Sequence, residues 1–442
     1  MEEKLLVGLD LCWDYTQLTC YNAKTGEPES IGIRGSEEQY LIPTCLAVKR
    51  GSREWVFGEE AKQLVAIEEA IDSGDMLEKA EQGTETELYG VVFQPEDLLE
   101  RYFRKVLLLL RQVYPNGRIA SLVLSLEERD HTTGKKLQER LGIALARLGI
   151  EPSRVQIQSH MASFLHYTVS QRQDLWQNDT ALFEFGRNGL HYVQLSINRK
   201  ELPMIAGLEE RDFSAYLTQE QVREEPVTAG KIFADVTEMA VYRKVLSTVY
   251  VVGRGFEGDW ADEVLMSLCA RRRVFKGQNL YAKGACYAAL HLAEWEEERV
   301  LLLGEDRTSA ELSMQVYKDG SIQEITLIRP AILWQDAFGE WDFILDGETE
   351  LALQIRDYMT RKRDQRLIDL SGLPPRPPRM TRIRMRLQYL DLHTCLVQVR
   401  DMGFGEIMPA SGEGNAMVKA GIADNRGSIL AGGRIWEMTL EV

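Results

Sequence analysis

Strand and helix patterns alternate through the first two thirds of this chain, and they constrain its fold more than any other feature. The segment "QPEDLLERYFRKVLLLLRQV" (94–113) has apolar residues at helical spacing and Pro95 in its first turn. The apolar run "IASLVLSL" (119–126) follows as a buried strand, and a helix around 131–148 and a short strand at 155–158 come next. This alternation predicts an α/β fold in which helices cover a sheet.

From Arg299 onward strand patterns dominate. In "TRIRMRLQY" (381–389), apolar and polar side chains alternate strictly, as in an antiparallel strand with one buried face. The last third of the chain therefore predicts a β-sandwich. Basic residues cluster between 361 and 386. They indicate a solvated basic face or, alternatively, a contact surface for an acidic partner.

The composition indicates a globular chain of two or three domains. A net charge of −16 disfavours nucleic-acid binding, and no apolar run is long enough to span a membrane. The start "MEEKLLVGLD" lacks the pattern of a signal peptide, and the six scattered cysteines indicate reduced thiols. We therefore expect a cytoplasmic protein with no nucleic-acid or membrane partner, and the oligomeric state stays open.

Several stretches resemble, in the same order, the seventy-kilodalton heat-shock chaperones of the actin-like ATPase superfamily. "VGLDL" (7–11) resembles the first phosphate strand, and "LFEFGRNG" (182–189) lies where the family has its second phosphate loop. "VYVVGRG" (249–255) resembles the adenosine loop, and "RVLLLGED" (299–306) resembles the apolar interdomain linker. "IDLSGLPPRPPRM" (368–380) resembles a turn of the chaperone substrate domain. The resemblance covers most of the chain.

The resemblance implies a two-lobed actin-like ATPase fold, made of duplicated ribonuclease-H-like sheets, followed by a C-terminal β-sandwich. It divides the chain into lobe I (1–178), lobe II with a reduced upper subdomain (179–298), an apolar linker (299–304) and the β-sandwich (305–442). The linker is expected to dock. It either packs on the lower lobe or forms the first strand of the sandwich.

The resemblance also implies a nucleotide site. Asp10 stands at the position of the magnesium-associated aspartate, so it is the candidate metal ligand, unless it only holds a turn. Arg187 would neutralise a phosphate or form a salt bridge across an empty cleft. Gly253 and Gly255 would admit the adenosine or simply form a turn. The candidate cofactor-binding residues are Asp10, Glu184, Gly186, Arg187, Gly189, Gly253, Arg254 and Gly255.

Other positions depart from the chemistry that ATP hydrolysis needs. Cys12, Trp13 and Asp14 replace small residues of the phosphate loop, and Trp13 is expected to fill the phosphate space in the cleft. Ser159 stands where the family has a water-orienting glutamate, and Lys79 is a poor match for the catalytic lysine. We therefore predict no catalytic residue, and either no cofactor or ATP or ADP with magnesium.

These observations lead to an expected function. The chain is a chaperone-like scaffold that binds a polypeptide or protein partner and has at most weak ATPase activity. A slow ATP-dependent chaperone and a structural actin-like assembly protein are the alternatives. In a working chaperone, nucleotide changes peptide affinity, whereas an assembly protein sediments as a polymer.

Overall fold

The computed structural model describes residues 3–33, 39–127, 131–200, 203–294, 299–304, 306–360, 362–405, 407–411 and 435–441. The protein is mixed α/β with several sheets, so the predicted α/β class is confirmed at this level. The chain forms two compact units. The first comprises Met1–Leu195 and Glu210–Glu298, and the second comprises Ser196–Glu209 and Arg299–Val442.

Strands and helices alternate through the first unit. Two of the strands named below, β13 and β14, contain residues of both units. The strands are β1 (Glu3–Leu11), β2 (Tyr15–Asn22), β3 (Glu27–Ile31), β4 (Ile42–Pro43), β5 (Leu46–Lys49), β6 (Trp55–Phe57), β7 (Ala70–Asp72), β8 (Thr86–Leu88), β9 (Val91–Phe93), β10 (Gly117–Leu126), β11 (Val155–Ser159), β12 (Asp179–Gly186), β13 (Gly189–Asn198), β14 (Met204–Asp212), β15 (Leu246–Val252) and β16 (Arg273–Lys276). The helices are α1 (Gly58–Ala66), α2 (Met76–Gln82), α3 (Pro95–Val113), α4 (His131–Arg147), α5 (His160–Val169), α6 (Gln219–Glu224), α7 (Pro226–Val241), α8 (Asp262–Leu268) and α9 (Leu280–Glu294).

Two sheets of the first unit share one strand order. The first sheet runs β11-β10-β1-β2-β3, where β1, β10 and β11 are parallel to one another and β2 is antiparallel to β1. The second sheet contains the order β16-β15-β12-β13-β14, where β12, β15 and β16 are parallel and β13 is antiparallel to β12. In both sheets the first strand in sequence is therefore central. A hairpin extends the sheet on one side, and two parallel strands extend it on the other.

Helices bury both faces of the first sheet. The apolar side chains of α2, α3 and α4 share one core with β1 and β10, and the predicted stripe of α3 faces this core. A capping box between Gln94 and Asp97 fixes the start of α3. On the opposite face, Ala285, Ala288 and Ala289 of α9 pack on Val123. The second sheet buries its own core against α7 and α8.

Two glycines let α9 approach its neighbours at backbone contact. A Cβ atom on Gly8 of β1 would overlap the backbone of Ala282 and Cys286, both on α9. A Cβ atom on Gly284 of α9 would overlap the carbonyl group of Ser163 on α5. Small residues at these crossings hold α5, α9 and β1 in fixed positions. Among the described residues, no helix combines the length and apolar character needed to cross a membrane.

The second unit is built mainly of strands. They are β17 (Val300–Leu302), β18 (Ala310–Lys318), β19 (Ser321–Ile328), β20 (Phe338–Leu345), β21 (Glu350–Asp357), β22 (Arg363–Asp369), β23 (Thr381–Tyr389), β24 (Thr394–Asp401) and β25 (Ile435–Glu441). Two four-stranded antiparallel sheets have the strand orders β19-β18-β21-β22 and β20-β23-β24-β25. Apolar side chains of β18 to β24 from these two sheets share one core. The alternation predicted in β23 is confirmed, because Ile383, Met385, Leu387 and Tyr389 are all buried.

The predicted linker segment is an edge strand within the second unit. Val300–Leu302 pair in parallel with Met204–Ala206, the start of β14. The side chain of Leu303 is buried against Ile205 and Ala331. The segment therefore docks through strand pairing, and β17 does not pair with either sheet of the shared core.

The basic segment between 361 and 386 differs from its prediction at two points, and Arg361 itself lies outside the described residues. β22 is a strand that the sequence pattern did not predict, because most of its side chains are polar and exposed. Arg376 is not part of a solvated face. Its guanidinium group is buried and forms two hydrogen bonds, of 2.8 and 2.7 Å, with the carboxylate of Asp401.

Candidate functional site

The carboxyl ends of three parallel strands meet at one edge of the first sheet. β1, β10 and β11 are neighbours and run in the same direction. Asp10 and Cys12 lie at the end of β1, Glu127 directly follows β10, and His160 directly follows β11. In open α/β sheets, ligands bind in the crevice outside the carboxyl ends of the strands. This edge is therefore the candidate functional site.

Asp10 and His160 form a buried ion pair at this edge. His160 Nε2 donates to Asp10 Oδ1 over 2.8 Å, and the side chains are 6% and 0% exposed, respectively. The other carboxylate oxygen of Asp10, Oδ2, is buried and has no hydrogen-bond partner among the described residues. The sulfur of Cys12 lies 3.7 Å from Asp10 Oδ1 and 3.8 Å from His160 Nε2. A carboxylate, a thiol and an imidazole thus converge on one point.

Neighbouring groups fix the orientation of the His160 ring. The imidazole stacks on the ring of Tyr281, with centroids 3.9 Å apart and planes 14° from parallel. The hydroxyl group of Tyr281 donates to Glu184 Oε2 over 2.9 Å, and Glu184 Oε1 lies 3.9 Å from His160 Nδ1. Ser159 caps α5, because its hydroxyl group accepts from the backbone N–H of Ala162. His160 is therefore held on the first turn of a capped helix, with Nε2 facing Asp10.

The charges around His160 favour its protonated form. Burial disfavours the imidazolium, but the negative charge of Asp10 and the hydrogen bond to it act in the opposite direction. The charges of Glu184 and Glu127 add to this effect, and the pKa of His160 is raised to about 9. In this arrangement His160 is a cation at neutral pH.

Cys12 and Asp14, which stand where the resemblance places the first phosphate loop, also have raised pKa values. Burial, followed by the charges of Asp10, Glu127 and Asp14, raises the pKa of the Cys12 thiol well above its usual range. Burial also raises the pKa of Asp14, although backbone hydrogen bonds and the charges of two arginines, Arg254 and Arg187, oppose that rise. The Cys12 thiol is therefore protonated at neutral pH.

A cleft of about 840 Å³ opens beside His160, and both sheets of the first unit contribute to its lining. Four of its lining residues carry carboxylates, namely Glu127, Glu184, Glu210 and Asp212. These four carboxylates outnumber the two cations of the lining, His160 and Arg211, so their net charge repels a polyphosphate.

The structure brings together only some of the predicted site residues. Asp10 and Glu184 both flank His160, and Gly186 and Gly189 line the same cleft as Glu184. Arg187 is exposed, and its charge acts on Asp14 without a close ion pair among the described residues. The predicted salt bridge across the cleft is therefore not formed at close range. Arg254 is exposed and pairs with Glu257 of its own loop.

Two glycines of the predicted adenosine loop are explained by packing. Gly253 has a φ of +99°, and a Cβ atom there would lie 2.5 Å from the carbonyl oxygen of Phe185. A Cβ atom on Gly255 would overlap the ring of Phe185. Gln278 forms hydrogen bonds with both the N–H and the carbonyl group of Gly253. These contacts require glycine without reference to a nucleotide.

Three residues weighed for their part in nucleotide chemistry have structural roles. Trp13 is buried as predicted, but it belongs to the hydrophobic core of the first sheet and does not line the 840 Å³ cleft. The ammonium group of Lys79 donates to the backbone carbonyl of Ser73 and to the hydroxyl group of Thr86. The hydroxyl group of Ser159 is the cap of α5.

His160, Glu127 and Tyr281 belong to the site but were not predicted from the sequence. A signal for two of them exists, because Glu127 directly follows the predicted strand at 119–126 and His160 comes two residues after the predicted strand at 155–158. Carboxyl ends of parallel neighbouring strands meet at one edge. Tyr281 has no comparable signal, since it reaches the site from the first turn of α9.

Comparison with known protein families gives a match over most of the first unit. The family described as "Family of unknown function (DUF5716) C-terminal" matches residues 27–305, which is more than half of the chain. The chain belongs to the DUF5716 family. A second model, "Domain of unknown function (DUF8552)", matches residues 307–417. No curated protein matches the chain.

The DUF5716 match includes only part of the site. His160, Glu184 and Tyr281 fall inside the matched residues, whereas Asp10 and Cys12 precede them. The second matched domain begins just after β17 and contains both sheets of the shared core up to β24.

Proposed function

We propose that this DUF5716-family chain is a chaperone-like scaffold that binds a polypeptide or protein partner and does not hydrolyse ATP. We further propose that its first unit has the two-lobed actin-like fold and that the second unit contains the partner-binding β-sandwich. The shared strand order and directions of the two sheets support the first part, because a duplicated sheet is the basis of that fold. The shared core of the two four-stranded sheets supports the second part.

The Asp10–His160 ion pair is the observation that carries the proposal. Asp10 occupies the position that the resemblance gives to the magnesium-associated aspartate. Here its carboxylate is fully buried and hydrogen-bonded to a cationic imidazole. A magnesium ion that keeps several waters needs an open, hydrated carboxylate. The carboxylates that line the cleft disfavour a triphosphate as well.

The residues at the positions expected to support ATP hydrolysis also favour this proposal. Phosphoryl transfer needs positioned cations and an oriented water molecule. Ser159 caps a helix and Lys79 bonds within its own subdomain, so neither is available for these roles. These contacts support the proposal of a non-hydrolysing cleft.

Exposed apolar side chains on the second unit favour partner binding there. Tyr317 of β18 and Ile322 of β19 are a cross-strand pair, and the side chains are 74% and 72% exposed. Phe338 and Ile344 of β20 are also exposed. Exposed apolar residues that lie together are typical of a surface that binds another protein.

Calorimetric titration with ATP and with ADP, each with and without magnesium, tests the proposed absence of a nucleotide function. We expect no saturable binding heat and no phosphate release. Binding of a labelled extended peptide with an apolar centre tests the scaffold function in parallel. We expect Tyr317→Ser with Ile322→Ser to weaken that binding at least tenfold, and Met266→Ser, at an exposed apolar residue of the first unit, to leave it unchanged. Tight ATP binding or indifference to the β18–β19 substitutions contradicts the proposal.

A slow ATP-dependent chaperone is the second candidate, and the geometry of β17 favours it. Only three residues of β17 pair with β14, and β17 is the last strand of its sheet, so its release would break few backbone hydrogen bonds. Hydrogen exchange across 299–304 distinguishes the two functions. Faster exchange on addition of magnesium and ATP supports the chaperone cycle, and unchanged exchange supports the scaffold.

We also propose a cytoplasmic location. All six cysteines are free, and Cys12, Cys20, Cys286 and Cys395 are buried as thiols. Unpaired buried cysteines are typical of a reducing compartment.

A further inference from the structure

Three side chains with different donor atoms converge beneath the cleft. Asp10 offers a carboxylate oxygen, Cys12 a sulfur and His160 the Nε2 nitrogen, and these atoms all lie within 4.8 Å of one another. All three side chains are buried. Asp10 and Cys12 lie at the end of β1, and His160 begins α5 directly after β11, at the same edge of the sheet. Carboxylate, thiol and imidazole are all groups that bind zinc in proteins.

The distances between the donor atoms fit a tetrahedral zinc ion. Zinc lies roughly 2.3 Å from sulfur and roughly 2.0–2.2 Å from nitrogen or oxygen, so tetrahedral donors are about 3.3–3.6 Å apart. The observed separations are 2.8 Å between oxygen and nitrogen, 3.7 Å between sulfur and oxygen, and 3.8 Å between sulfur and nitrogen. The two sulfur separations lie within a few tenths of an ångström of this range, and Asp10 Oδ1 and His160 Nε2 must move apart by about 0.5 Å to reach it.

An unsatisfied atom points independently to a cation. Asp10 Oδ2 is buried without a hydrogen-bond partner among the described residues, although a buried carboxylate oxygen normally has one. A metal ion bound through Oδ1, alone or together with Oδ2, would compensate the charge of this carboxylate. The same ion would replace the direct hydrogen bond between Asp10 and His160.

We propose that Asp10, Cys12 and His160 bind one zinc ion and leave its fourth position for a water molecule or another ligand. A thiolate with an imidazole selects zinc over magnesium, which prefers oxygen ligands only. On binding, Cys12 releases its thiol proton and His160 its Nε2 proton to solvent, while Asp10 remains a carboxylate. His160 lines the 840 Å³ cleft, so the ion has a route of entry beside the imidazole.

The surroundings of His160 suit this role. Metal-bound histidines usually direct their other ring nitrogen toward a carboxylate, which orients the ring and increases its basicity. Glu184 stands in that position, with Oε1 3.9 Å from His160 Nδ1, and Tyr281 holds Glu184 through its hydroxyl group. The stacked ring of Tyr281 further fixes the plane of the imidazole. The zinc site does not depend on the proposed scaffold function, and it assigns the sheet edge a ligand other than magnesium with ATP.

Cobalt titration of the full chain after chelator treatment tests the site. We expect about one equivalent of Co²⁺ to bind. The complex should show intense visible bands of a tetrahedral ion and a thiolate-to-cobalt charge-transfer band. Zinc should displace the cobalt and abolish both. Cys12→Ser should remove the charge-transfer band, and Asp10→Asn should weaken affinity at least tenfold. Cys269→Ser, at an exposed cysteine, is the matched control and should change nothing.

X-ray absorption of the zinc-loaded wild-type protein decides the matter even if the variants fail to fold. One sulfur and otherwise nitrogen or oxygen ligands support the site. A zinc shell without sulfur, a shell with two or more sulfurs, or no bound zinc above the buffer level overturns it. Retention of the charge-transfer band in folded Cys12→Ser overturns it as well.

Discussion

Asp10 Oδ1 and His160 Nε2 are 2.8 Å apart, although 150 residues separate Asp10 from His160 in the sequence. The contact joins the end of β1 to the start of α5 across β10, which lies between β1 and β11 in the sheet. Both side chains are buried, so neither charge is hydrated and each is stabilised by the opposite charge of its partner. Because the contact occupies the Asp10 carboxylate, a ligand at this sheet edge must either replace the His160 hydrogen bond or bind elsewhere.

The first prediction concerns the energetic coupling of this pair in chelator-treated protein. His160→Gln leaves the Asp10 carboxylate buried without a cation and should reduce the free energy of unfolding by about 3–5 kcal/mol. Asp10→Asn with His160→Gln should cost clearly less than the sum of the single substitutions, because the uncompensated charge disappears. Urea unfolding measures all three variants. The surface pair Lys49–Glu60 is the control and should show no measurable coupling. Additive effects at Asp10 and His160 contradict the buried pair.

The second prediction compares two glycines within helices. Gly284→Ala in α9 should destabilise the protein by about 2–3 kcal/mol or more, because the new methyl group overlaps the carbonyl group of Ser163. Gly142→Ala in α4 meets no atom within 4 Å and should stabilise it by about 0.5–1 kcal/mol. Calorimetric melting temperatures should therefore shift in opposite directions. Equal shifts would show that α5 and α9 are not in backbone contact.

The third prediction uses two arginines that each form two hydrogen bonds with one carboxylate and that differ in burial. Arg376 pairs with Asp401 at 6% and 0% exposure, and Arg384 pairs with Asp342 at 40% and 41% exposure. Arg376→Lys should cost about 1–3 kcal/mol, because lysine cannot reproduce two parallel hydrogen bonds. Arg384→Lys should cost clearly less than Arg376→Lys, because water solvates an exposed charge. Amide exchange in β23 and β24 reports both changes, and equal acceleration contradicts the role of burial.

The fourth prediction concerns acid stability through His166. Burial, with a contribution from the charge of His291, lowers the pKa of His166 to about 4. The folded protein therefore favours neutral His166. The stabilisation is complete above the unfolded pKa of about 6.5 and is lost as the pH falls toward 4. Between about pH 7 and pH 5 this loss amounts to about 2 kcal/mol.

His166→Leu should remove that share of the pH dependence. Urea unfolding of the variant at both pH values should give a smaller decrease in unfolding free energy than the wild type shows. His393→Leu, at a histidine of the second unit, serves as the control. An equal decrease in wild type and His166→Leu contradicts the assignment.

Local patterns predicted the elements of this fold more successfully than they predicted its site. The stripe of α3 and the alternation of β23 depend on spacing within one segment, so the sequence displays them directly. β22 escaped prediction because an edge strand with polar side chains on both faces lacks alternation. Arg376 was assigned to a solvated face because burial depends on its partner Asp401, which is distant in sequence.

Predicting the site from the sequence would have required the order of the strands in the sheet. Asp10 stood out through the family resemblance, but its partner His160 became visible only once β1, β10 and β11 were known to be parallel neighbours. Trp13 was correctly expected to be buried, since a large apolar ring at the end of a core strand is rarely exposed. Its place in the core of the first sheet depends on packing that spacing alone does not reveal.

The position of α9 on the first sheet has a consequence for biosynthesis. α9 covers β1 and β10, yet it is synthesised only after the strands β12 to β16 of the second sheet. At roughly 5–20 residues per second, the ribosome completes α9 on the order of ten seconds after β10. During this interval one face of the first sheet is exposed on the nascent chain. Because that face is apolar, the nascent chain is itself a candidate substrate for the cell's chaperones.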